Sequence, residues 1–235
     1  MYNECIVTCP LKGEMEDLPE VEQVSKLLAR STLIEYTPYT RYEDSVVEIC
    51  LRLYGETLNV VLVSSEPRTS FYKQSLGDLI DVGAMKFIEL TLAKSTKGVS
   101  EDNGVIKLPF DYLNKFLDLT SKLPAGCAVV FEPITHLILN KGIDEAYDFV
   151  AKVCEDLASR NITLVGLINK SAHDEQTISR FEGLFLNLAE EVGNRIRVTK
   201  GGKEEYIRFY VGEKFYLDQG QKPESDSNSD SEPQI

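Results

Sequence analysis

The chain has 235 residues, 43% of them hydrophobic, and a formal net charge of −13 from 38 acidic and 25 basic side chains. This length suffices for one domain with a full hydrophobic core, and the acidic charge disfavours non-specific binding to nucleic acid or to anionic lipid, which depends on clustered cations. No apolar run reaches the ~18 residues of a membrane span. Residues 1–14 lack a basic start followed by a long apolar stretch, so we expect a cytoplasmic protein.

The first third of the chain predicts a lead-in and the start of an α/β core. Residues 1–30 hold a short amphipathic helix that begins near Pro19. The β-branched, helical and polar patterns that follow predict, in order, a strand at Thr32–Tyr36, a loop at Thr37–Arg41, a helix at Tyr42–Tyr54 closed by Gly55, and a buried strand at Leu58–Val63.

The middle of the chain continues the alternation of helices and strands. Its patterns predict a helix holding Phe71 and Ile80, a strand at Ala84–Leu90, an exposed loop at Thr91–Gly104, a helix at Pro109–Leu123 and a strand at Cys127–Glu132. A strongly amphipathic helix at Ile143–Ser159, a strand at Ile162–Ile168, a short helix at His173–Arg180 and a short apolar segment at Leu184–Leu188 follow.

Two features close the chain. Period-two alternation at Arg195–Thr199 and Tyr206–Val211, around a Gly-Gly turn, predicts a β-hairpin. Residues 217–235 are rich in Ser, Asp and Glu and predict a disordered acidic tail. The core domain at 31–216 is therefore an α/β fold, with a mainly parallel sheet, helices on both faces and a C-terminal antiparallel hairpin.

The five cysteines are odd in number and scattered, which indicates a reducing compartment rather than a disulfide framework. Cys5 and Cys9 form a C-x3-C pair, and a metal site there requires two more ligands. His136 and His173 are the only histidines in the chain. We expect no metal site and no cofactor, and we interpret His136 as a structural residue. The spacing of the sequence supports no nucleophile–base pair.

Three stretches, in the same order as in a known superfamily, lie at the ends of predicted strands. Leu33-Ile34-Glu35 runs into a loop that holds Pro38 and Thr40, Val63-Ser64-Ser65-Glu66 ends the second strand, and Val129-Val130-Phe131-Glu132 ends a later one. Over about residues 20–215 the chain resembles the RecA/KaiC-like P-loop ATPase superfamily. The resemblance implies a RecA-like core and a phosphate-binding loop at residues 35–43.

That loop lacks the residues its chemistry requires. Aligned with the superfamily, the glycine positions hold Tyr36, Tyr39 and Arg41, the lysine position holds Tyr42 and the hydroxyl position holds Glu43. Glycines let backbone N–H groups close on phosphate, the lysine contacts the β- and γ-phosphates, and the hydroxyl binds magnesium. The Walker A loop is degenerate, and we expect no ATP hydrolysis.

Three further residues occupy positions that the resemblance marks as functional. Glu132 stands where a carboxylate supports magnesium, and Glu66 stands where a carboxylate activates water. We favour the interpretation that both are inherited and solvated rather than parts of a residual active site. Lys200, near the hairpin, resembles a residue that reaches a neighbouring subunit's nucleotide; the simpler interpretation is a charged edge hairpin that opposes aggregation.

The sequence thus predicts a non-catalytic, pseudo-ATPase protein that binds another protein, with a competent RecA-like paralogue or a second copy of itself as candidate partners. Two alternatives stay open. One is a nucleotide-binding or ATP-hydrolysing KaiC-like protein with an atypical site, since ligands of such folds bind at the carboxyl ends of the strands. The other is a DNA-repair accessory factor of the recombinase branch, which the net charge of −13 disfavours.

Overall fold

The computed structural model describes residues 28, 30–57, 59–92, 98–192, 195–200 and 203–208. Within these ranges the backbone forms a single ten-stranded sheet. Its strands are β1 (Ser31–Tyr36), β2 (Val60–Ser65), β3 (Met85–Thr91), β4 (Ser100–Asp102), β5 (Val105–Pro109), β6 (Ala128–Phe131), β7 (Thr163–Asn169), β8 (Asn187–Val192), β9 (Arg195–Lys200) and β10 (Lys203–Arg208).

The sheet is mainly parallel. Its spatial order is β10-β9-β8-β1-β7-β6-β2-β3-β5-β4, and every pairing from β8 to β5 is parallel. Antiparallel pairing is confined to the two edges, where β9 joins β8 and β10 and β4 joins β5. The predicted parallel sheet and C-terminal antiparallel hairpin are confirmed.

Helices cover both faces of the sheet, because the crossover between two parallel strands must run over a face. They are α1 (Tyr42–Glu56), α2 (Thr69–Asp81), α3 (Asn114–Thr120), α4 (Ile134–Lys141), α5 (Ile143–Ser159) and α6 (Glu175–Glu182). Apolar side chains of α1 and α2 pack on one face, and those of α3 to α6 pack on the other. Strand β2 is buried along its whole length, as expected for a central strand covered on both sides.

The region between β3 and β6 differs from the prediction. The expected exposed loop up to Gly104 contains strand β4, and strand β5 follows in residues to which no element was assigned. The expected helix from Pro109 to Leu123 is instead a 3-10 turn at Phe110–Tyr112 followed by the short helix α3. The prediction missed a two-residue hairpin turn: Asn103 and Gly104 both have positive φ, 49° and 73°, as a type I′ turn requires. Asn-Gly is a strong signal for such a turn.

Two other elements were not predicted. Helix α4 begins directly after Pro133 and joins β6 to α5. The apolar segment predicted at Leu184–Leu188 is in fact the entry to strand β8, which pairs with β1. The strand was not predicted because it carries polar residues where a central strand is normally apolar. Glu190 forms ion pairs with Lys170 and, at 2.6 Å, with Arg197.

The predicted N-terminal helix, the acidic tail, Cys5 and Cys9 lie outside the described residues. Among the described cysteines, Cys50 and Cys127 are buried and Cys154 is partly buried, all as free thiols. No helix in the described ranges combines the length and the apolar character needed to cross a membrane.

Candidate functional site

The carboxyl ends of β1, β7, β6 and β2 lie side by side at one edge of the sheet, because these four neighbouring strands are parallel. In open α/β sheets this edge is where ligands bind. The loop after β1 leads into α1 here, the turn after β2 leads into α2, and Glu132 follows β6 directly.

Two tyrosines close the space between β1 and α1. Tyr36 ends β1 and Tyr42 begins α1, and their rings stack with centroids 3.9 Å apart and an interplanar angle of 18°. They are only 2% and 4% exposed. Burial raises the pKa of the Tyr36 phenol, which is hydrogen-bonded to Thr135. The Tyr42 hydroxyl is buried and has no hydrogen-bond partner among the described residues.

A single arginine, Arg68, contacts Tyr42, Glu43 and Glu132. Together with Tyr36 these residues form the corner around Arg68. The guanidinium of Arg68, from the turn after β2, forms an ion pair with Glu132. Its Nε lies 3.5 Å from a carboxylate oxygen of Glu43 at the start of α1. Its central carbon lies 4.8 Å from the centroid of the Tyr42 ring, in cation–π geometry. Arg68 thereby connects the ends of three elements, and the sequence analysis missed it.

Glu132 is fully buried, so the interpretation that it is solvated is wrong, and its charge is satisfied inside the chain. Besides the Arg68 ion pair, it accepts a hydrogen bond of 3.2 Å from the Ser64 hydroxyl. Burial raises the pKa of Glu132 to about 6, and the guanidinium and the Ser64 hydroxyl oppose that rise. Burial also raises the pKa of Glu43. An intramolecular cation therefore lies directly beside the Glu132 carboxylate.

The loop between β1 and α1 turns back on itself. The backbone N–H of Thr40 donates to the Thr37 carbonyl at 3.2 Å, and the Thr40 hydroxyl donates to the same oxygen at 2.8 Å. Tyr39, at the tip, is 95% exposed. Arg41 extends to the outside and pairs with Asp44 at 2.6 Å.

The structure separates the residues that the superfamily resemblance grouped together. Tyr36, Tyr42, Glu43 and Glu132 meet around Arg68, whereas Tyr39 and Arg41 face solvent. Glu66 is exposed at the turn before α2 and forms none of these contacts. Lys200 lies in β9, and its side chain is outside the described part of the structure. The sequence signal for Arg68 is its position three residues after β2, in the turn where a charged side chain reaches the sheet edge.

A second contact escaped the sequence analysis, which found no nucleophile–base pair. The Ser65 hydroxyl and His136 Nδ1 lie 2.8 Å apart, because the unpredicted helix α4 carries His136 to the end of β2. Burial, followed by the nearby Arg68 charge, lowers the pKa of His136. Ser65 is itself buried, and the pair joins α4 to β2 at the wall of a cleft of about 170 Å³.

A pair of carboxyl groups lies on the other side of β1. Glu35 hydrogen-bonds with Glu182 of α6, with Lys170 and Glu190 nearby. Burial, the hydrogen bond and the repulsion between the two carboxyl groups raise the pKa of Glu35 to about 7. No group of three or more potential metal ligands occurs among the described residues.

No protein-family model and no curated protein matches this chain by sequence. By structure the chain is similar to the PH0250 protein of Pyrococcus horikoshii OT3, with a TM-score of 0.53 and 15% identity over 76% of this chain and 91% of that one.

Two further similarities are weaker. The ATP synthase subunit NeqB of Nanoarcheaum equitans has a TM-score of 0.49 and 10% identity over 74% of this chain and 50% of that one. The flagellar accessory protein FlaH of Methanocaldococcus jannaschii has a TM-score of 0.43 and 13% identity over 82% and 86%. At such identities a structural likeness concerns the fold alone.

Proposed function

We propose that this chain, which has a RecA-like α/β fold, is a non-catalytic protein that acts by binding another protein. A fold by itself does not assign an activity. The proposal therefore depends on the site at the carboxyl edge of the sheet, where a nucleotide would lie.

The observation that carries the proposal is the filled corner around Arg68. A nucleotide phosphate needs open space, backbone N–H groups and a free cation at this position. The chain instead places two stacked tyrosine rings there, and the Arg68 guanidinium is engaged by Glu132 and Glu43. Inserting a phosphate would require breaking these ion pairs and leaving a fully buried carboxylate beside another anion, which is strongly unfavourable.

Partner binding is supported by the loop next to this corner. Tyr39 is almost fully exposed, while two hydrogen bonds between Thr40 and Thr37 hold the backbone beneath it. An exposed tyrosine on a pre-ordered loop loses little conformational entropy on binding, and tyrosine is enriched among residues that dominate interface energies.

Isothermal titration with Mg-ATP tests the closed site. We expect no binding tighter than about millimolar and no ATP turnover, because the groups that hold phosphate are absent. Micromolar affinity would contradict the proposal and favour a nucleotide-binding protein with an atypical site.

A variant with six substitutions tests the assignment of the loop. It combines Tyr36→Gly, Tyr39→Gly, Arg41→Gly, Tyr42→Lys and Glu43→Thr with Arg68→Ser. If residues 35–43 occupy the place of a phosphate loop, the folded variant gains Mg-ATP binding. A variant that keeps its native circular dichroism spectrum yet ignores Mg-ATP would remove the support for this assignment.

Partner binding is tested by capturing proteins from the native host on the immobilised chain. Tyr39→Ala should lower the recovery of a specific partner while leaving the melting temperature unchanged, because the side chain contacts solvent. Tyr54→Ala is the matched control, since Tyr54 is a partly exposed tyrosine at the far end of α1. Equal recovery on wild type and Tyr39→Ala would exclude the loop as the binding surface.

A further inference from the structure

A cleft of about 240 Å³ opens at the carboxyl ends of β3 and β5, separate from the corner around Arg68. Its wall includes Glu66, Glu89, Thr91, Ser100 and Lys107. Two of these residues carry carboxylates and two carry hydroxyl groups. The cleft therefore offers acceptor oxygens in a space larger than a bare ion occupies.

Glu89 makes this cleft unusual. It is 6% exposed, yet the described residues give its carboxylate neither a hydrogen bond nor an ion pair. Glu132 provides the contrast, since it is fully buried and paired with Arg68 and Ser64. Because Glu89 lines the cleft, its carboxylate is open to a cation that enters.

Among the described residues, Lys107 is a candidate for an internal partner. It lies opposite Glu89 in the pairing of β3 with β5. Its ammonium nitrogen is instead 3.7 Å from a carboxylate oxygen of Asp102 on β4. Lys107 thus pairs with Asp102, and both Lys107 and Glu89 line the cleft.

A second, more apolar cleft of about 170 Å³ adjoins the first. Glu66 belongs to both walls. The second cleft is lined by the apolar side chains of Leu90, Leu92 and Phe110, and Leu92 is largely exposed. A ligand that spans the two would place an apolar group beside a positively charged one.

We propose that these adjoining clefts receive a segment of a partner protein, with the guanidinium or ammonium of a basic side chain against Glu89 and Glu66 and an apolar side chain against Leu90 and Phe110. The proposal rests on the proposed function. A net charge of −13 attracts a basic partner, and a carboxylate pairs with a guanidinium through short, charge-assisted hydrogen bonds.

The probe is N-acetyl-leucyl-arginine amide, titrated into the ¹⁵N-labelled full chain, with N-acetyl-leucyl-glutamate amide as its charge-reversed control. The arginine probe should shift the backbone signals of Glu89, Thr91 and Ser100. Glu89→Gln should weaken its binding by about tenfold or more. Glu101→Gln, an exposed carboxylate on β4 outside both clefts, should leave the affinity unchanged.

Stability measurements separate a binding role from a structural one. Because the Glu89 carboxylate has neither a hydrogen bond nor an ion pair within the described part of the chain, Glu89→Gln should keep or raise the melting temperature. Equal losses of stability in Glu89→Gln and Lys107→Gln would instead identify Lys107 as the partner of Glu89 and overturn the proposal.

Two other results would also overturn it. One is the absence of shifts with the arginine probe. The other is a response of the same signals to Mg²⁺ or Ca²⁺ but not to the peptide, which would indicate a metal site. None of these results depends on ATP. The proposal for the clefts can therefore be refuted while the proposal of a closed nucleotide site is upheld, and the reverse is equally possible.

Discussion

Arg68 is the residue on which the closed corner most depends, because it pairs with a fully buried carboxylate and stacks on Tyr42. Arg68→Met leaves Glu132 without its cation. Breaking a buried ion pair in this way is expected to cost about 3 kcal/mol in unfolding free energy, measured by urea denaturation at pH 7.

The same substitution carries a pH signature. Without Arg68 the pKa of Glu132 rises further, so the carboxyl group is neutral at pH 5 and the loss of stability is smaller there than at pH 8. Arg41→Met is the matched control, since Arg41 pairs with Asp44 on the surface and its loss should cost below ~1 kcal/mol. Equal, pH-independent losses in the two variants would contradict the buried pair.

Glu35 gives a second pH-dependent prediction. Because its pKa is raised from 4.5 to about 7, the folded chain holds a proton that the unfolded chain releases. The resulting stabilisation is present below pH 4.5 and is lost as the pH rises through 7. Glu35→Gln should make the stability fall less steeply over this range and should stabilise the chain by about 1 kcal/mol at pH 8, a value reduced for solvent screening of a partly exposed group.

The carboxyl pair predicts that Glu182→Gln acts in the same direction, because it removes the same repulsion. Denaturation curves recorded at pH 5, 6, 7 and 8 compare both variants with the wild type. Parallel stability profiles for wild type and Glu35→Gln would show that Glu35 is ionised in the folded chain throughout this range.

At the scale of elements, the contact between β7 and the helices above it depends on a glycine. A Cβ atom on Gly166 would lie 2.7 Å from the Phe185 ring and 2.9 Å from the end of the Ile134 side chain. Gly166→Ala therefore overpacks the junction of β7 with α4 and with the segment after α6. We expect a loss of about 1–3 kcal/mol by urea denaturation.

Gly77→Ala is the matched control for that substitution. Gly77 lies inside α2, and a Cβ atom there would meet no atom within 4 Å. Alanine should stabilise the helix by about 0.5–1 kcal/mol, since it restricts the unfolded chain and favours helix. Stabilisation by both substitutions would contradict the close approach of Phe185 and Ile134 to Gly166.

Helix α5 and strand β8 show when a local sequence pattern was sufficient to predict an element and when it was not. Helix α5 was predicted with the bounds Ile143–Ser159 that the structure has, because its apolar residues recur at helical spacing on one buried face. Strand β8 was missed because Glu190 and Glu191 interrupt its apolar pattern. Ion pairs with Lys170 and Arg197, and a hydrogen bond from Ser45 to Glu191, compensate those charges only in the folded chain.

For the whole molecule, the net charge of −13 predicts how stability responds to salt. Self-repulsion among the acidic groups destabilises the compact chain, and salt screens it over a Debye length of about 10 Å at 0.1 M. The melting temperature should rise when NaCl increases from about 20 to 300 mM, as measured by scanning calorimetry. A fall over this range would mean that favourable ion pairs, such as those of Arg68, outweigh the net repulsion.

The sequence by itself determined the alternation of strands and helices over most of the core and the parallel sheet with its terminal hairpin, but not β4, β5, α4 or β8. These follow from residue type and local spacing, and the same residue types predict that Tyr36, Tyr42 and Glu43, in place of glycine, lysine and a hydroxyl, do not bind phosphate. Only the tertiary structure decided what these residues contact. Arg68 and Glu132 are 64 residues apart in the chain and meet because β2 pairs with β6. The position of Glu89 at the wall of a cleft depends in the same way on how β3, β4 and β5 come together. Contacts of this kind leave no periodic trace in a sequence, because their energy arises only when distant strands align.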